Sequence, residues 1–207
     1  MIYRIETEIL NSNVFVIAHG QSCVIVDAGA TLEKVKAIVG DMKVEGIFLT
    51  HGHYDHVYYV REYAKAFGCK VYASELVKEY LENCKYNFSE GFELGEFELH
   101  DFGNFVFLHD DGAVSLPHFE IEFFKLGGHS KSDVAFLIDK NLFVGDVLIG
   151  REIGRLDLYG GDKNQMVKSL ERLISFDYEI MRSGHGKENT KEAQDAVIKL
   201  WLRFLKR

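Results

Sequence analysis

Proline occurs once in the 207 residues, at Pro117, and no stretch is rich in glycine and serine, so the chain offers no recognisable linker. Cysteine is almost as scarce. Cys23, Cys69 and Cys84 are odd in number, far apart and without a CxxC pair, which excludes a disulfide framework and a thiolate zinc site. A reducing, cytoplasmic setting is therefore expected. The amino terminus, MIYRIETEIL, places Arg4, Glu6 and Glu8 where a secretory signal needs its apolar stretch, and no hydrophobic run reaches membrane-spanning length. Neither a leader nor a membrane partner is expected. Basic residues are also in deficit, 24 Lys and Arg against 32 Asp and Glu, for a net charge of -8. From Tyr86 to Phe124 there is no Lys or Arg at all, while acids such as Glu90, Glu93, Glu96, Glu98, Asp101, Asp110 and Asp111 recur. Nucleic-acid binding rests on cations at phosphates, so no nucleic-acid partner is expected.

What is present suffices for a substantial core: 47% of residues are hydrophobic and 13% aromatic. Short β-branched or aromatic runs ended by Gly, Asp or polar residues predict strands at Asn13–Ala18, Ser22–Gly29 and Gly46–Thr50. Helical spacing follows in Leu32, Val35, Ile38, Val39 and Met42, and again in Val57, Val60, Ala64 and Phe67. The second half repeats this order, with strands predicted at His118–Leu126, Asp133–Asp139 and Asn141–Leu148. Asp162 and Gln165 resemble a capping box ahead of Val167, Leu170, Leu173 and Ile174. Ala193, Ala196, Val197, Leu200, Trp201, Phe204 and Leu205 predict one apolar stripe on a last helix. The economical reading is a single domain over residues 1–207, an α/β unit built from two similar halves.

The residues that carry chemistry follow strands. GIFLT runs into HGHYDH, so His51 and His53 fall in a turn at a strand's carboxyl end, while Asp55 and His56 fall where the next helix begins. His51 and His53 can reach one ion together, and the adjacent Asp55 and His56 can turn toward a second. His129 in LGGHS, Asp146 in FVGD and His185 in RSGHG occupy the same kind of position. A lone histidine is more often a surface or core residue than a ligand. Here five of nine histidines lie in loops after predicted strands, with two acids among them, and the coincidence favours a metal site. His19, His100, His109 and His118 sit in strand-like or acidic surface contexts and are read as structural, as are the three cysteines.

THGHYDH, GGHS, GD and GHG, in this order across most of the chain, resemble the metallo-β-lactamase superfamily. The resemblance implies a four-layer αβ/βα sandwich of two mixed sheets flanked by helices, with metals at one edge. It implies that His51, His53 and His129 bind a first ion, that Asp55, His56 and His185 bind a second, and that Asp146 bridges them. The cofactors implied are two divalent ions, zinc first, with iron or manganese as alternatives. Asp27 in VDAG matches the family's Asp-Pro-Gly turn and would orient ligand histidines. Asp146 in place of a cysteine, together with the cytoplasmic reading, argues against an antibiotic-hydrolysing β-lactamase.

GDVLIGREIGRLDLYGGD is similar to the glyoxalase II and persulfide dioxygenase branch, whose Gly-Arg-x-Asp turn corresponds to Arg155 and Asp157. The histidine motif is GGHS without the usual proline, and Tyr58 and Tyr59 stand where small residues are common. The segment Gly186 to Arg207 holds one helix and not the helical domain that carries glutathione in glyoxalase II. The implied activity is thioester or related acyl hydrolysis of a small-molecule substrate by metal-bound hydroxide, with Asp55 or Asp146 relaying the proton. The alternatives are a mononuclear iron persulfide dioxygenase and a lactonase or phosphodiesterase. Arg155, Tyr58 and Tyr159 are the candidate substrate contacts. No oligomeric state is implied.

Overall fold

The computed structural model describes all 207 residues. Strands β1 (Ile2–Glu6), β2 (Asn13–His19), β3 (Ser22–Val26), β4 (Lys43–Phe48), β5 (Lys70–Ser74) and β6 (Phe105–Leu108) form one sheet in that order. Its first three strands are antiparallel neighbours, and β3 through β6 run parallel. The second sheet takes β7 (Gly112–Leu116), β8 (Phe119–Lys125), β9 (Val134–Ile138) and β10 (Asn141–Gly145). A small hairpin, β11 (Leu148–Ile149) and β12 (Glu152–Ile153), then leaves the sheet, and β13 (Ile180–Ser183) and β14 (Asn189–Thr190) complete it on the other side of β10. The helices are α1 (Leu32–Val39), α2 (Tyr54–Val57), α3 (Val60–Phe67), α4 (Val77–Leu81), α5 (Lys163–Ser175) and α6 (Lys191–Leu205).

Strand alternation explains the layering. In β2, Val14 and Val16 join α1 and α3 in an outer core, while Phe15 and Ile17 face the other sheet. The alternation repeats in β3, where Cys23 and Ile25 point outward and Val24 and Val26 inward. In β9, Val134, Phe136 and Ile138 meet that inner core, and Ala135 packs under α5 and α6 with Leu170, Leu173 and Ile198. Three apolar layers thus separate helix, sheet, sheet and helix, the four-layer sandwich of two mixed sheets. Phe48 stacked on Tyr72, centroids 4.7 Å apart, and edge-on to Phe136 at 5.3 Å stitches the sheets together.

Several boundaries differ from the expectation. The segment predicted as one helix from Val57 is two, α2 and α3, because His56 and its neighbours turn toward the site before the chain restarts at Val60. Strands β1, β6 and β7 were not predicted, since each is at a sheet edge and only partly buried, and interior β5 was missed because its apolar run is only Val71, Tyr72 and Ala73. Asp162 caps α5 by accepting from the N–H groups of Asn164 and Gln165, at 2.7 and 3.0 Å, so the N-cap half of the predicted capping box is present. The stripe on α6 is rotated. Its buried face holds Gln194 and Ile198 with Val197, Trp201 and Leu205 against them, whereas Leu200 and Phe204 are exposed. The rotation follows from two polar anchors, Gln194 Nε2 donating to the Gly150 carbonyl and Trp201 Nε1 to that of Arg151.

Candidate metal centre

Adjacent parallel strands end together, and the ligand-type residues follow their ends. Val26 of β3 pairs with Phe48 of β4, so Asp27 lies beside the segment that leads from Leu49 into His51. In the other sheet Gly145 of β10 pairs with Ser183 of β13, which sets Asp146 beside His185. The two edges are joined across the sandwich: the Val134 N–H donates to the Thr50 carbonyl at 2.8 Å, and the Gly52 N–H to Ser132 Oγ at 3.1 Å. The approach demands glycine. A Cβ on Gly184 would lie 2.1 Å from Asp146 Oδ1 and 2.7 Å from His56 Cε1, and one on Gly52 would lie 2.4 Å from Tyr80 Cβ.

All seven side chains singled out in the sequence lie in one cluster. Three overlapping sets have donor atoms mutually within 4.8 Å: His51, His53 and His129; His51, His56 and Asp146; and Asp55, His56 and His185. Asp146 reaches both sides, with Oδ1 3.5 Å from His56 Nε2 and Oδ2 3.3 Å from His185 Nε2 and 3.8 Å from His129 Nε2. Asp55 Oδ2 lies 3.3 Å from His56 Nε2 and 3.2 Å from His185 Nε2. His185 is half-buried; the other six are buried.

The rings are oriented from behind. His56 Nδ1 donates to Asp27 at 2.9 Å, His51 Nδ1 to Thr50 Oγ1 at 3.1 Å, and His129 Nδ1 to the Arg155 carbonyl at 3.1 Å. The Thr50 hydroxyl in turn donates to Asp27, so one carboxylate steadies two histidines. Each of the three rings thereby turns Nε2 inward. His51 and His56 leave Nε2 buried without a hydrogen-bond partner, as Asp146 leaves Oδ1, while His53 turns Nδ1 to the cluster, 2.9 Å from His129 Nε2. Polar atoms buried in that state cost free energy unless a proton or a metal cation takes them up, and imidazole nitrogen with carboxylate oxygen is the donor set of zinc or iron. The residues present fit divalent metal.

Charge in the cluster is divided. Burial pushes His51 well down, helped by the imidazoles around it, and burial with His129 takes His53 to about 3. Burial opposes charge on His56 as well, yet Asp55, Asp146 and Asp27 hold it well above the ordinary histidine range. Burial likewise opposes charge on His185, but hydrogen bonds to Asp146 and Asp55 bring it to about 9. Asp55 and Asp146, despite burial, stay below the usual carboxylate range with His56 the leading favourable charge. A divalent cation entering such a site displaces protons.

A cavity of about 390 Å³ opens beside the cluster, and Arg155 lies in its wall. The Arg155 guanidinium is already committed to Asp157 through two hydrogen bonds, Nε at 3.0 Å and Nη2 at 2.8 Å. Tyr58 and Tyr159, expected as substrate contacts, are elsewhere. Tyr58 Oη donates to the Leu94 and Gly95 carbonyls, left free by the turn there, and Tyr159 stacks on Tyr86 with centroids 3.7 Å apart while bonding Glu79. His109 and His118 pair with Glu75 and Glu45, away from the cluster.

Three supporting residues were not read from the sequence. Buried Asp133 accepts from the N–H groups of His129 and Ser130, at 3.0 and 2.9 Å, and from the Ser130 hydroxyl. Burial pushes its carboxyl up against those hydrogen bonds. Tyr80, fully buried, meets His53 edge to face and uses its hydroxyl to tie the Lys131 N–H to the Tyr159 carbonyl. Phe88 packs edge-on against His53, centroids 5.0 Å apart. An Asp two or four residues past a loop histidine is a usable signal for the first; Tyr80 had none, and Phe88 stood out only as one of several aromatics in the acidic stretch from Tyr86 to Phe124, one or two of which could line a pocket.

The profile of the family described as Metallo-beta-lactamase superfamily matches residues 8–185, which contain the whole cluster. The chain belongs to the metallo-beta-lactamase superfamily. Among its relatives, the probable metallo-hydrolase YqgX of Bacillus subtilis is 27% identical over 185 residues, 86% of this chain and 87% of that one. The hydroxyacylglutathione hydrolase GloC of Haemophilus influenzae is 27% identical over 177 residues, 82% of each chain. The solved BLEG-1 B3 metallo-beta-lactamase superposes with a TM-score of 0.86 at 27% identity, covering 94% of this chain and 96% of its own. The superfamily includes metallo-hydrolases, and the buried polar atoms described above are where this chain would hold metal.

Proposed function

We propose that the chain is a hydrolase of thioesters or related acyl esters working on two divalent metal ions, zinc first, with iron or manganese as alternatives. The observation that carries this reading is Asp146 placed between two sets of inward-facing imidazoles at the floor of a cavity. His51, His53 and His129 would hold one ion, Asp55, His56 and His185 the other, and Asp146 both. Ions bound there supply Lewis acidity toward a carbonyl and acidify water. Asp55, with Oδ2 turned to His56 and His185, is placed to take a proton from the attacking water and return it to the leaving group. Ser130 and Ser132 are not nucleophiles, because the Ser130 hydroxyl donates to Asp133 and Ser132 Oγ accepts from Gly52. The likeness to hydroxyacylglutathione hydrolase supports the acyl substrate. The acidic stretch from Tyr86 to Phe124 supports a small molecule over a nucleic acid.

The test is a kinetic comparison on zinc-loaded protein of lactoylglutathione with a simple acyl thioester of similar leaving-group pKa. The two are expected within about tenfold in kcat/KM, since Arg155, the cation in the cavity wall, is already occupied by Asp157. A preference for the glutathione substrate beyond roughly a hundredfold would show a carrier-binding surface and refute the comparison. The likeness to a B3 metallo-beta-lactamase supports a second reading, opening of a cyclic amide, and a β-lactam turned over faster than any thioester would establish it. One equivalent of iron with oxygen uptake on a persulfide would replace hydrolysis by oxygenation.

Asp27 gives a separate handle on the site. It touches no position of the cavity wall, yet it holds His56 directly and His51 through Thr50. Asp27→Ala is expected to weaken zinc binding by about 10- to 100-fold, read by competition with a chromophoric chelator. Unchanged affinity would mean that the rings keep their aim without it.

A further inference from the structure

Two non-glycine residues on separate loops hold left-handed backbone and line the cavity beside the cluster: Leu10 at φ 53° and Phe88 at φ 67°. Neither leucine nor phenylalanine is a residue that such backbone favours. Leu10 and Asn11, at φ 53° and 55°, are the central residues of a tight turn closed by the Ser12 N–H donating to the Ile9 carbonyl at 3.1 Å. Such a turn favours Asn, Asp or Gly at both centres, and Asn11 obeys while Leu10 does not. Leu10 is moreover 60% exposed, so its side chain gains little from packing. The turn is held rigidly all the same: Thr7 and Ser12 bond each other, and the Ser12 hydroxyl donates to the Asp55 carbonyl at 2.7 Å.

Phe88 is fixed in the same manner between buried neighbours. Asn87 donates to the Tyr80 and Phe97 carbonyls at 3.0 and 2.9 Å, and the Ser89 N–H donates back to Asn87 Oδ1 at 2.9 Å. Strained backbone that presents an apolar side chain to a reactive cluster from two independent loops is the pattern of a built binding wall. Ile149, Ile153 and Leu158 complete an apolar lining, and the guanidinium of Arg155 is neutralised by Asp157.

We infer that Leu10 and Phe88 form a clamp for an uncharged, apolar acyl chain whose carbonyl end lies at the Asp55–Asp146 cluster. This rests on the acyl-hydrolase reading above and narrows its substrate class: the acyl chain carries the recognition, and a carboxylate at its far end is disfavoured because it would lie against the apolar lining with no free cation in the wall.

Two measurements test it on zinc-loaded protein. The first is kcat/KM for N-acetylcysteamine thioesters from acetyl to hexanoyl, with adipoyl as the charged analogue of the last. The second is the affinity of the matching free carboxylates, acetate to hexanoate, by calorimetry, which needs no turnover. Each added methylene is expected to raise both quantities about threefold, and adipoyl to fall at least tenfold below hexanoyl. Leu10→Asn should flatten the chain-length dependence without lowering the Tm, because Asn tolerates left-handed backbone and Leu10 is largely exposed, and Phe88→Asn should flatten it too, with a loss of Tm from the missing contact with His53. A chain-length dependence in carboxylate affinity with no thioester turnover would uphold the clamp and refute the hydrolase reading. Turnover with a flat series in both measurements would refute the clamp and leave the hydrolase reading intact. Asn variants that lose Tm while keeping the wild-type slope would show that Leu10 and Phe88 serve packing, and would also overturn it.

Discussion

Stripping both divalent ions from the purified protein is expected to lower its Tm by about 20 °C. An ion that binds only the folded state, present at a thousandfold over its Kd, contributes about 4 kcal/mol per site, and in a chain of this size each kcal/mol moves Tm about 2–4 °C. The cluster is well placed to deliver this. Its donors leave the first sheet after β4 and the second after β8, β10 and β13, so ions held by them tie the two sheets at one edge. Without the ions, the Nε2 atom of His51 is buried with no partner, and burial keeps it from taking a proton instead. Thermal melts before and after chelation, with metal content verified by elemental analysis and restored by added zinc, give the answer. A melting curve unmoved by verified metal removal would disprove the coupling.

Asp146→Ala should be the most damaging single substitution, lowering kcat/KM on the best thioester by about a thousandfold, or ~4 kcal/mol, and reducing bound metal below two equivalents. Asp146 alone lies within 4 Å of imidazoles from both sides of the cluster, His56 and His185 on one side and His129 on the other. Its loss removes a shared donor and leaves Asp55 as the one carboxylate within 4 Å of the Nε2 atoms of His56 and His185. Far-ultraviolet circular dichroism separates this from unfolding, since the β10–β13 pairing is made by backbone groups. A variant that keeps two equivalents of metal and activity within tenfold would show that Asp146 is not the shared ligand.

The centre was unusually legible in the sequence because its donors are local to strand ends. His51, His53, Asp55 and His56 occupy one turn and the first turn of one helix, so their convergence needs only the carboxyl end of β4. His129, Asp146 and His185 announce themselves through glycine neighbours that a crowded edge requires, as Gly184 shows against Asp146 and His56. Strands β2, β3, β4, β9 and β10 were equally plain, since residues such as Val24, Ile25 and Val26 are buried on both faces and carry a continuous apolar signal, whereas the short interior strand β5 did not stand out. Edge strands lack that signal. The rotated face of α6 was misread because Leu200 and Phe204 are apolar at the right spacing, while the contacts that set the rotation, from Gln194 and Trp201, are polar and reach the β11–β12 hairpin.

By itself the sequence determined which donors exist, in what order, and that they follow strands, because these properties are set by residues a few positions apart. Tertiary structure decided everything that depends on a distant partner. Whether a ring turns Nδ1 or Nε2 to the cluster is settled by Asp27 for His56, by Thr50 for His51 and by the Arg155 carbonyl for His129. Where Tyr58 and Tyr159 point is settled by free carbonyls at Leu94 and Gly95 and by the ring of Tyr86. The left-handed turns that aim Leu10 and Phe88 at the cavity form because Ser12, Asn87 and Ser89 find buried hydrogen-bond partners, and no local propensity of leucine or phenylalanine would place them there.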